Sequence, residues 1–407
     1  PESLPFDATD ELTPLEEIVA QGRAVQAIGF GVRIRGAGFN LFVLGPPGTG
    51  KTTAIKRFLA REASKLPTPP DWCYVNNFAD PQRPRALRLP PGRARIFQTD
   101  CDRLLDELKG GVPRAFESEA YEQHRRTILE ELQKQTSTEL EGLQGRAEAL
   151  GFGLVKTASG FVIVPILRGK PLKPEGFEAL DEESKRQVNL KSEEVQKDLA
   201  ATLRRIRELE REVKNRLDAF DREVATSAVD HLIEDVKERY GDHHEVQVHF
   251  EAMREDVIAN VDLFRRGQEG APGPAELVAM MQPGRDPFDR YRVNVLIEQV
   301  RDGGAPVVVE SHPTCQNLLG RIEHQVHMGA LYTNFMMARA GALHQANGGF
   351  LVLEALELLK QFLAWDTLKR TLKNRRIKIE EPGEQFRLFS TVTLEPEPIP
   401  LDVKVGL

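Results

Sequence analysis

The chain has 407 residues, 40% of them hydrophobic and 29% charged, with a formal net charge of −7 at pH 7. That length predicts two or three domains with a real apolar core, and the acidic balance argues against a general nucleic-acid binder. Cys73, Cys101 and Cys315 match no zinc or redox spacing, and neither a signal-peptide pattern nor an apolar run of about eighteen residues is present, so a soluble, cytoplasmic protein with reduced thiols is expected.

The chain opens at Pro1 without Met, which predicts a trimmed fragment of something longer. Glu16 to Val32 has helical spacing, with Ile18, Val19, Val25, Ala27 and Ile28 on one face. Asn40-Leu-Phe-Val-Leu44 reads as a buried parallel strand. It leads into Gly45-Pro46-Pro47-Gly48-Thr49-Gly50-Lys51-Thr52-Thr53, which fits the P-loop pattern, and Thr53 to Ala60 continues at helical spacing. Glycines in such a loop let backbone amides close around phosphates, and the helix N-terminus adds positive potential. Lys51 is expected at the β- and γ-phosphates of ATP or ADP, and the Thr52 hydroxyl on Mg²⁺.

Trp72 to Val75 predicts a second strand, ending in the polar turn Asn76 to Pro81. A turn at the carboxyl end of a strand is where open α/β sheets place ligands. Ala94 to Gln98 reads as a further strand and Asp102 to Leu108 as a helix.

From about Arg114 to Phe264, Glu, Lys and Arg dominate. Leu199, Leu203, Ile206, Leu209, Val213, Leu217, Phe220 and Val224 follow three-and-four spacing, which predicts a coiled coil. Tyr121 to Leu150 forms an earlier arm with Ile128, Leu132, Leu140 and Leu143. Between the arms, Gly153 to Val164 reads as a hairpin turning near Gly160. The picture is two antiparallel helical arms carrying a small β-tip. His243 and His244 read as solvated.

Gly267 to Arg285 is rich in Gly and Pro and reads as a join. Strands are then predicted at Tyr291–Ile297, Pro306–Glu310 and Gly349–Glu354, followed by a helix. A hairpin of 376–378 with 386–388 and a last strand at Leu401–Val405 complete the pattern. Lys369, Arg370, Lys373, Arg375 and Arg376 read as a solvated helix face in preference to a nucleic-acid patch. The expected fold is α/β: a P-loop core of residues 1–113 and 290–407 with a parallel sheet, interrupted by a coiled-coil insertion over 114–266 with its hairpin near 153–168, and a linker over 267–289.

A P-loop enzyme also needs an acid at a strand end for Mg²⁺, and a second carboxylate to polarise the attacking water. Phe350-Leu-Val-Leu353 supplies the apolar strand, but Glu354-Ala355 follows. In one register Glu354 holds the metal and Ala355 replaces the base. In the register shifted by one, Glu354 is the catalytic base and the metal acid is lost to Leu353. Glu357 and Asp366 are the substitutes within reach in sequence. ATP binding is therefore better supported than hydrolysis.

Four segments carry a family resemblance. Gly341 through Glu354 (GALHQANGGFLVLE) resembles the segment through Walker B in Lon-related AAA+ proteases of the LonB kind. Tyr74 to Arg85, Gly320 to His324 and Leu394 to Val403 resemble a bacterial branch of Lon-related ATP-dependent proteases. Gly22-Arg23-Ala24-Val25 is similar to the helix before the P-loop in many AAA+ ATPases, near the adenine. The resemblance implies a homo-oligomeric, hexameric AAA+ ring that unfolds protein substrates and feeds them to a Ser–Lys peptidase. Members with membrane anchors carry transmembrane helices where this chain has its charged insertion, so no membrane partner is expected. The sensor, lid, arginine finger and peptidase of the family are not in this sequence, which is read as the ATPase part of a longer protease. Met328 to Tyr332 and on to Phe335 lies where such rings place a substrate-gripping loop, and Tyr332 and Phe335 are its candidate aromatics. A non-proteolytic AAA+ remodeller and a nucleotide-binding scaffold that no longer hydrolyses ATP are the competing readings.

Overall fold

The computed structural model describes residues 22–34, 38–46, 48–157, 160–167, 170–171, 182–265, 286–327, 330–380 and 394–407. The chain forms two compact units, one of residues 1–108, 232–259 and 268–407, the other of 109–231 and 260–267. Among the described residues no helix is long and apolar enough to cross a membrane.

In the first unit, α1 (Gly22–Arg33) lays Ile28 against a cluster that includes Ile55, Phe58 and Leu59 of α2 (Lys51–Ala63). The part of the expected first helix before Gly22 lies outside the described residues. β1 (Asp71–Val75) is buried at every position and pairs antiparallel with β2 (Arg85–Leu89), Cys73 opposite Leu87. Ala94 to Gln98, expected as a strand, is instead the start of α3 (Ala94–Phe116). The reason is tertiary: Asp71 Oδ2 accepts from the amides of Arg93 and Ala94, both at 2.8 Å. That carboxylate caps the helix from a neighbouring strand, where the Arg93 amide also reaches Pro90 O at 3.2 Å.

The second unit holds α4 (Glu119–Ala149), the strands β3 (Phe152–Thr157), β4 (Gly160–Leu167) and β5 (Lys170–Pro171), and most of α5 (Glu182–Lys237). Ser118 caps α4, its hydroxyl accepting from the Tyr121 amide. The two long helices run antiparallel. Tyr121 Oη donates to Asp221, Arg216 pairs with Glu131, Arg205 with Glu139 and Arg146 with Asp198, so partners descend α5 as they climb α4. Ile128 and Leu143 of α4 and Val195, Ile206 and Val213 of α5 are buried along this seam. β3 and β4 form an antiparallel hairpin, Leu154 opposite Ile163, and pack on Ala147 and Val195.

Back in the first unit, α6 (His244–Ala259) buries Val246, Phe250, Met253 and Val257. β6 (Val293–Ile297) takes the other edge of β1, again antiparallel, giving a separate sheet in the order β2-β1-β6. The polar turn after Val75 therefore belongs to an antiparallel sheet, not to the carboxyl edge of a parallel one.

The parallel sheet is built later in the chain. After β7 (Val307–Glu310) come α7 (Cys315–Leu319), β8 (Arg321–Ile322), and β9 (Gln325–His327) paired with β10 (Ala330–Tyr332). β11 (Ala338–Arg339) pairs with β8, α8 (Ala342–Gln345) follows, and β12 (Phe350–Leu353) runs fully buried between neighbours. α9 (Ala355–Lys360) and α10 (Ala364–Asn374) lead to β13 (Arg376–Ile377), β14 (Ile399–Pro400) and β15 (Lys404–Gly406). β13 pairs with β14, although the sequence pattern placed its partner at 386–388, which lies outside the described residues.

β7 and β15 flank β12 in parallel, and residues 41–43 join the far side of β15. There Leu41 N donates to Val405 O (2.8 Å), Leu407 N to Leu41 O (2.9 Å), and Val43 N to Leu407 O (2.8 Å). The order is segment 41–43, β15, β12, β7. One face carries α1 and α2 over Phe350 and Val352, and the other carries α8 to α10 over Leu351 and Leu353. The motif Asn347-Gly-Gly before β12 is structural. Asn347 bridges to Pro400 O and Asp402 N, Gly348 takes φ +80°, and a Cβ on Gly349 would stand 2.1 Å from Pro306 O.

Candidate functional site

Four parallel segments share one polarity, so their carboxyl ends lie on one edge of the sheet. The loop after residues 41–43, the end of β12 and the end of β7 all open onto that edge. Open parallel sheets bind ligands there because helices start there and aim their unpaired amides outward.

The loop has the required backbone. Gly48 and Gly50 sit at φ +77° and +74°, the left-handed region that glycine adopts without strain. Gly50 is the N-cap of α2, and the first helical bond runs from Ala54 N to Gly50 O at 2.9 Å. The amides of Lys51, Thr52 and Thr53 precede that bond, and the thirteen-residue helix adds its dipole behind them. Gly45, Pro46, Gly48, Thr49 and Gly50 form the open loop, with Gly48 to Gly50, Thr52 and Thr53 exposed. Pro47 lies outside the described residues. Thr49 Oγ1 donates to Pro46 O at 2.9 Å, tightening the bend.

Lys51 is folded back into the loop. Its Nζ donates to Gly45 O at 2.6 Å and Pro46 O at 2.7 Å. A cation inside a ring of glycines and helix amides is the chemistry a phosphate needs, so the residues present fit a nucleotide polyphosphate.

The acidic side differs from the sequence expectation in one respect. The strand beside the loop segment is β15, and β12 stands one place further. At about 4.8 Å per strand, Glu354 is offset by about 10 Å from the loop's own strand, room for a metal ion and a terminal phosphate between them. Glu354 is the N-cap residue of α9 in extended conformation; its side chain makes no capping bond and is exposed. Ala355 opens α9 and offers only a methyl group. Glu357 pairs with Lys360 at 2.7 Å and Asp366 with Lys369 at 2.8 Å, so both candidate substitutes are engaged in ion pairs on their own helices.

Sequence reasoning missed Glu310. It ends β7, stands opposite Leu353 in the ladder, and reaches the same edge one residue short of Glu354. Its Oε1 accepts from the His312 amide at 2.7 Å. The signal was present as an apolar run ending in an acid, but its significance depends on a strand register that the sequence does not print.

The candidate gripping residues separate. Phe335 is buried among Trp72, Tyr74, Leu296 and Ile399, and Asn294 Nδ2 donates to its carbonyl at 2.8 Å. It is a core residue and cannot grip a passing chain. Tyr332 ends β10, half-buried, its hydroxyl accepting from Asn334 Nδ2 at 2.6 Å. Among the described side chains of that hairpin, Val326 is apolar and exposed.

Two comparisons bear on this site. Residues 303–407 match the family model of the LonB-like AAA domain, which spans β7 to β15 and includes Glu310 and Glu354. Residues 71–104 match the model of the Lon-like LonC helical domain. The P-loop lies outside both matches. No curated protein matches the chain.

Proposed function

We propose that this chain, two of whose segments match Lon-related domain models, is the ATP-binding, substrate-engaging module of a Lon-like ATP-dependent protease. The observation that carries the reading is the shared edge: the P-loop and the acids Glu310 and Glu354 open on the same side of one parallel ladder. Mg-ATP would place its phosphates in the cradle of Gly45 to Thr53, with Lys51 on the β- and γ-phosphates. Thr52 and Glu354 would hold the metal, which neutralises charge on the phosphates when bound.

On this reading the full-length protein is a homo-oligomer, probed first as a hexamer. The antiparallel helices of the second unit act as a coiled-coil arm that handles protein substrates, and a downstream peptidase cuts them. The β9–β10 hairpin, with Tyr332 and Val326, is the candidate contact with the moving chain.

Calorimetry with Mg-ADP and Mg-ATP tests the nucleotide step. Wild type should bind and Lys51→Ala should lose at least a factor of ten, because the phosphate charge loses its counter-ion. Equal affinity in the two proteins would overturn the proposal.

Ala355 favours a second reading, a nucleotide-binding scaffold without turnover. Tight ATP binding with no phosphate release from the full-length oligomer would select it.

A further inference from the structure

The hairpin of β3 and β4 has two unlike faces. Phe152, Leu154 and Ile163 turn to the side that packs with Ala147 and Val195. Val155, Val162, Val164 and Ile166 alternate with them and share the other side. Val155 and Val162 stand opposite one another in the ladder and are 47% and 46% exposed. Ile166 is 36% exposed, and its Cδ1 lies over Gly153, 3.0 Å from where a Cβ would stand. An antiparallel sheet with one face on its core ordinarily turns polar side chains to water on the other. Here the outward face is a row of β-branched aliphatic residues, the composition of a strand covered on both sides.

The outer edge of β3 is open as well. Ile166 N donates to Gly151 O at 2.8 Å, which sets the parity of the ladder. Gly153 and Val155 turn their backbone groups toward β4, and Phe152, Leu154 and Lys156 turn theirs away from it. β3 ends the sheet in the order β3-β4-β5, and no strand among the described residues pairs with its far side. Strand edges are ordinarily guarded by proline or by several charges. β4 and β5 carry Pro165 and Pro171, whereas β3, Phe-Gly-Leu-Val-Lys-Thr, has no proline and a single charge.

We propose that this hairpin docks an extended apolar segment of a protein substrate, added as a further strand beside β3. Its alternate side chains would continue the row that Val162 and Val155 begin. The inference rests on the reading of these helices as an arm that handles substrates, and it names what the arm would hold. Backbone bonds along an edge are indifferent to sequence, while the valine row selects apolar residues at every second position. A second copy seated on this face would meet three aliphatic side chains, each less than half exposed, far short of the roughly 800 Å² per partner of a standard stable interface. A lipid surface has no ladder of donors and acceptors to offer the edge.

The test titrates the full 407-residue chain into a fluorescein-labelled peptide of alternating valine and threonine with glutamate at each end, read by anisotropy. Saturable binding is expected. Methylating the backbone nitrogens of the valines in one peptide, and of the threonines in another, removes donors from opposite edges of the added strand. One form should bind about tenfold more weakly than the other, because only one set of donors faces β3. Val155→Thr/Val162→Thr, which keeps the β-branching, should weaken the unmethylated peptide about fivefold through lost apolar contact. Circular dichroism of that variant must match wild type. Mg-ADP binding on the same samples reports the nucleotide reading separately: no peptide binding with Mg-ADP binding intact strikes this proposal alone. Peptide binding by a full-length protein that degrades nothing strikes the protease reading alone. Methylated peptides of equal affinity, affinity unchanged in the double variant, displacement of the peptide by phosphatidylserine vesicles, or a dimer of the chain that the double variant abolishes would each overturn the proposal.

Discussion

Leu353 and Glu310 stand opposite one another in the parallel ladder between β12 and β7. That pairing brings a second carboxylate to the edge where the local sequence, Glu354-Ala355, supplies only one. In an oligomer that hydrolyses ATP, Glu310→Gln should lower turnover about a hundredfold or more and leave ATP affinity unchanged, the signature of a group that acts on water or on its neighbouring acid. Glu354→Gln should also weaken Mg²⁺-dependent binding. If Ala355→Glu raises turnover while Glu310→Gln has no effect, the missing base belongs at 355.

A second prediction concerns acid. His344 and His249 are both buried, each with an Nε2 that has no partner among the described residues, and burial pushes them down to about 3 and about 4. In the unfolded chain both titrate near 6.5. Below that pH the unfolded state takes up protons that the folded state refuses. Stability is therefore full above about pH 6.5 and falls on acidification, by about 1.4 kcal/mol per pH unit for each histidine. Urea unfolding near pH 7 and near pH 5 checks it. His344→Asn, which keeps an acceptor for the Gly341 amide, should lose about 2 kcal/mol less than wild type over that interval. Parallel losses in the two proteins would show that other groups drive the acid response.

The double glycine makes a third. Gly349→Ala puts a methyl carbon 2.1 Å from Pro306 O and 2.9 Å from Pro306 N, against the backbone of that residue. Pro306 O also accepts from Phe350 N, so the clash would part β12 from β7 at their first bond. A loss of several kcal/mol is expected, on the scale of overpacked or strained sites, read as a fall in thermal midpoint. A variant as stable as wild type would mean that the β7–β12 start can open without cost.

Substrate handling supplies the fourth. Phe335→Ala should destabilise the chain by about 3–5 kcal/mol, as for other buried phenylalanines. Val326→Ser should leave stability unchanged and, in the full-length protein, slow degradation of folded substrates more than cleavage of short peptides. The opposite pattern would return the gripping role to Phe335.

What the sequence made legible was local. The P-loop, the runs at 307–310 and 350–353, the seam of α5 and the 152–167 hairpin each announce themselves within a few residues, through glycine spacing or apolar period. What stayed hidden depends on partners far away in the chain. Ala94–Gln98 reads as a strand until Asp71 is seen to cap it, and β1 reads as part of the parallel sheet until β6, some two hundred residues later, is found antiparallel beside it. Glu310 gained its place only from register. Phe335 was misread because an aromatic near a hairpin looks the same in sequence whether its ring points outward or into a core.

Lys51 gives the loop a memory of its cargo. By reaching back to Gly45 O and Pro46 O, the ammonium is already engaged with the first two residues of its own loop. Arrival of a triphosphate is therefore an exchange of partners: two carbonyl bonds are surrendered as the phosphate bonds form. The heat released on binding is the difference between the two sets, smaller than a count of phosphate contacts would give. A shorter side chain at 51 would remove the attraction and the self-competition together, so the loss of affinity in Lys51→Ala measures the lysine's net preference for phosphate over its own loop.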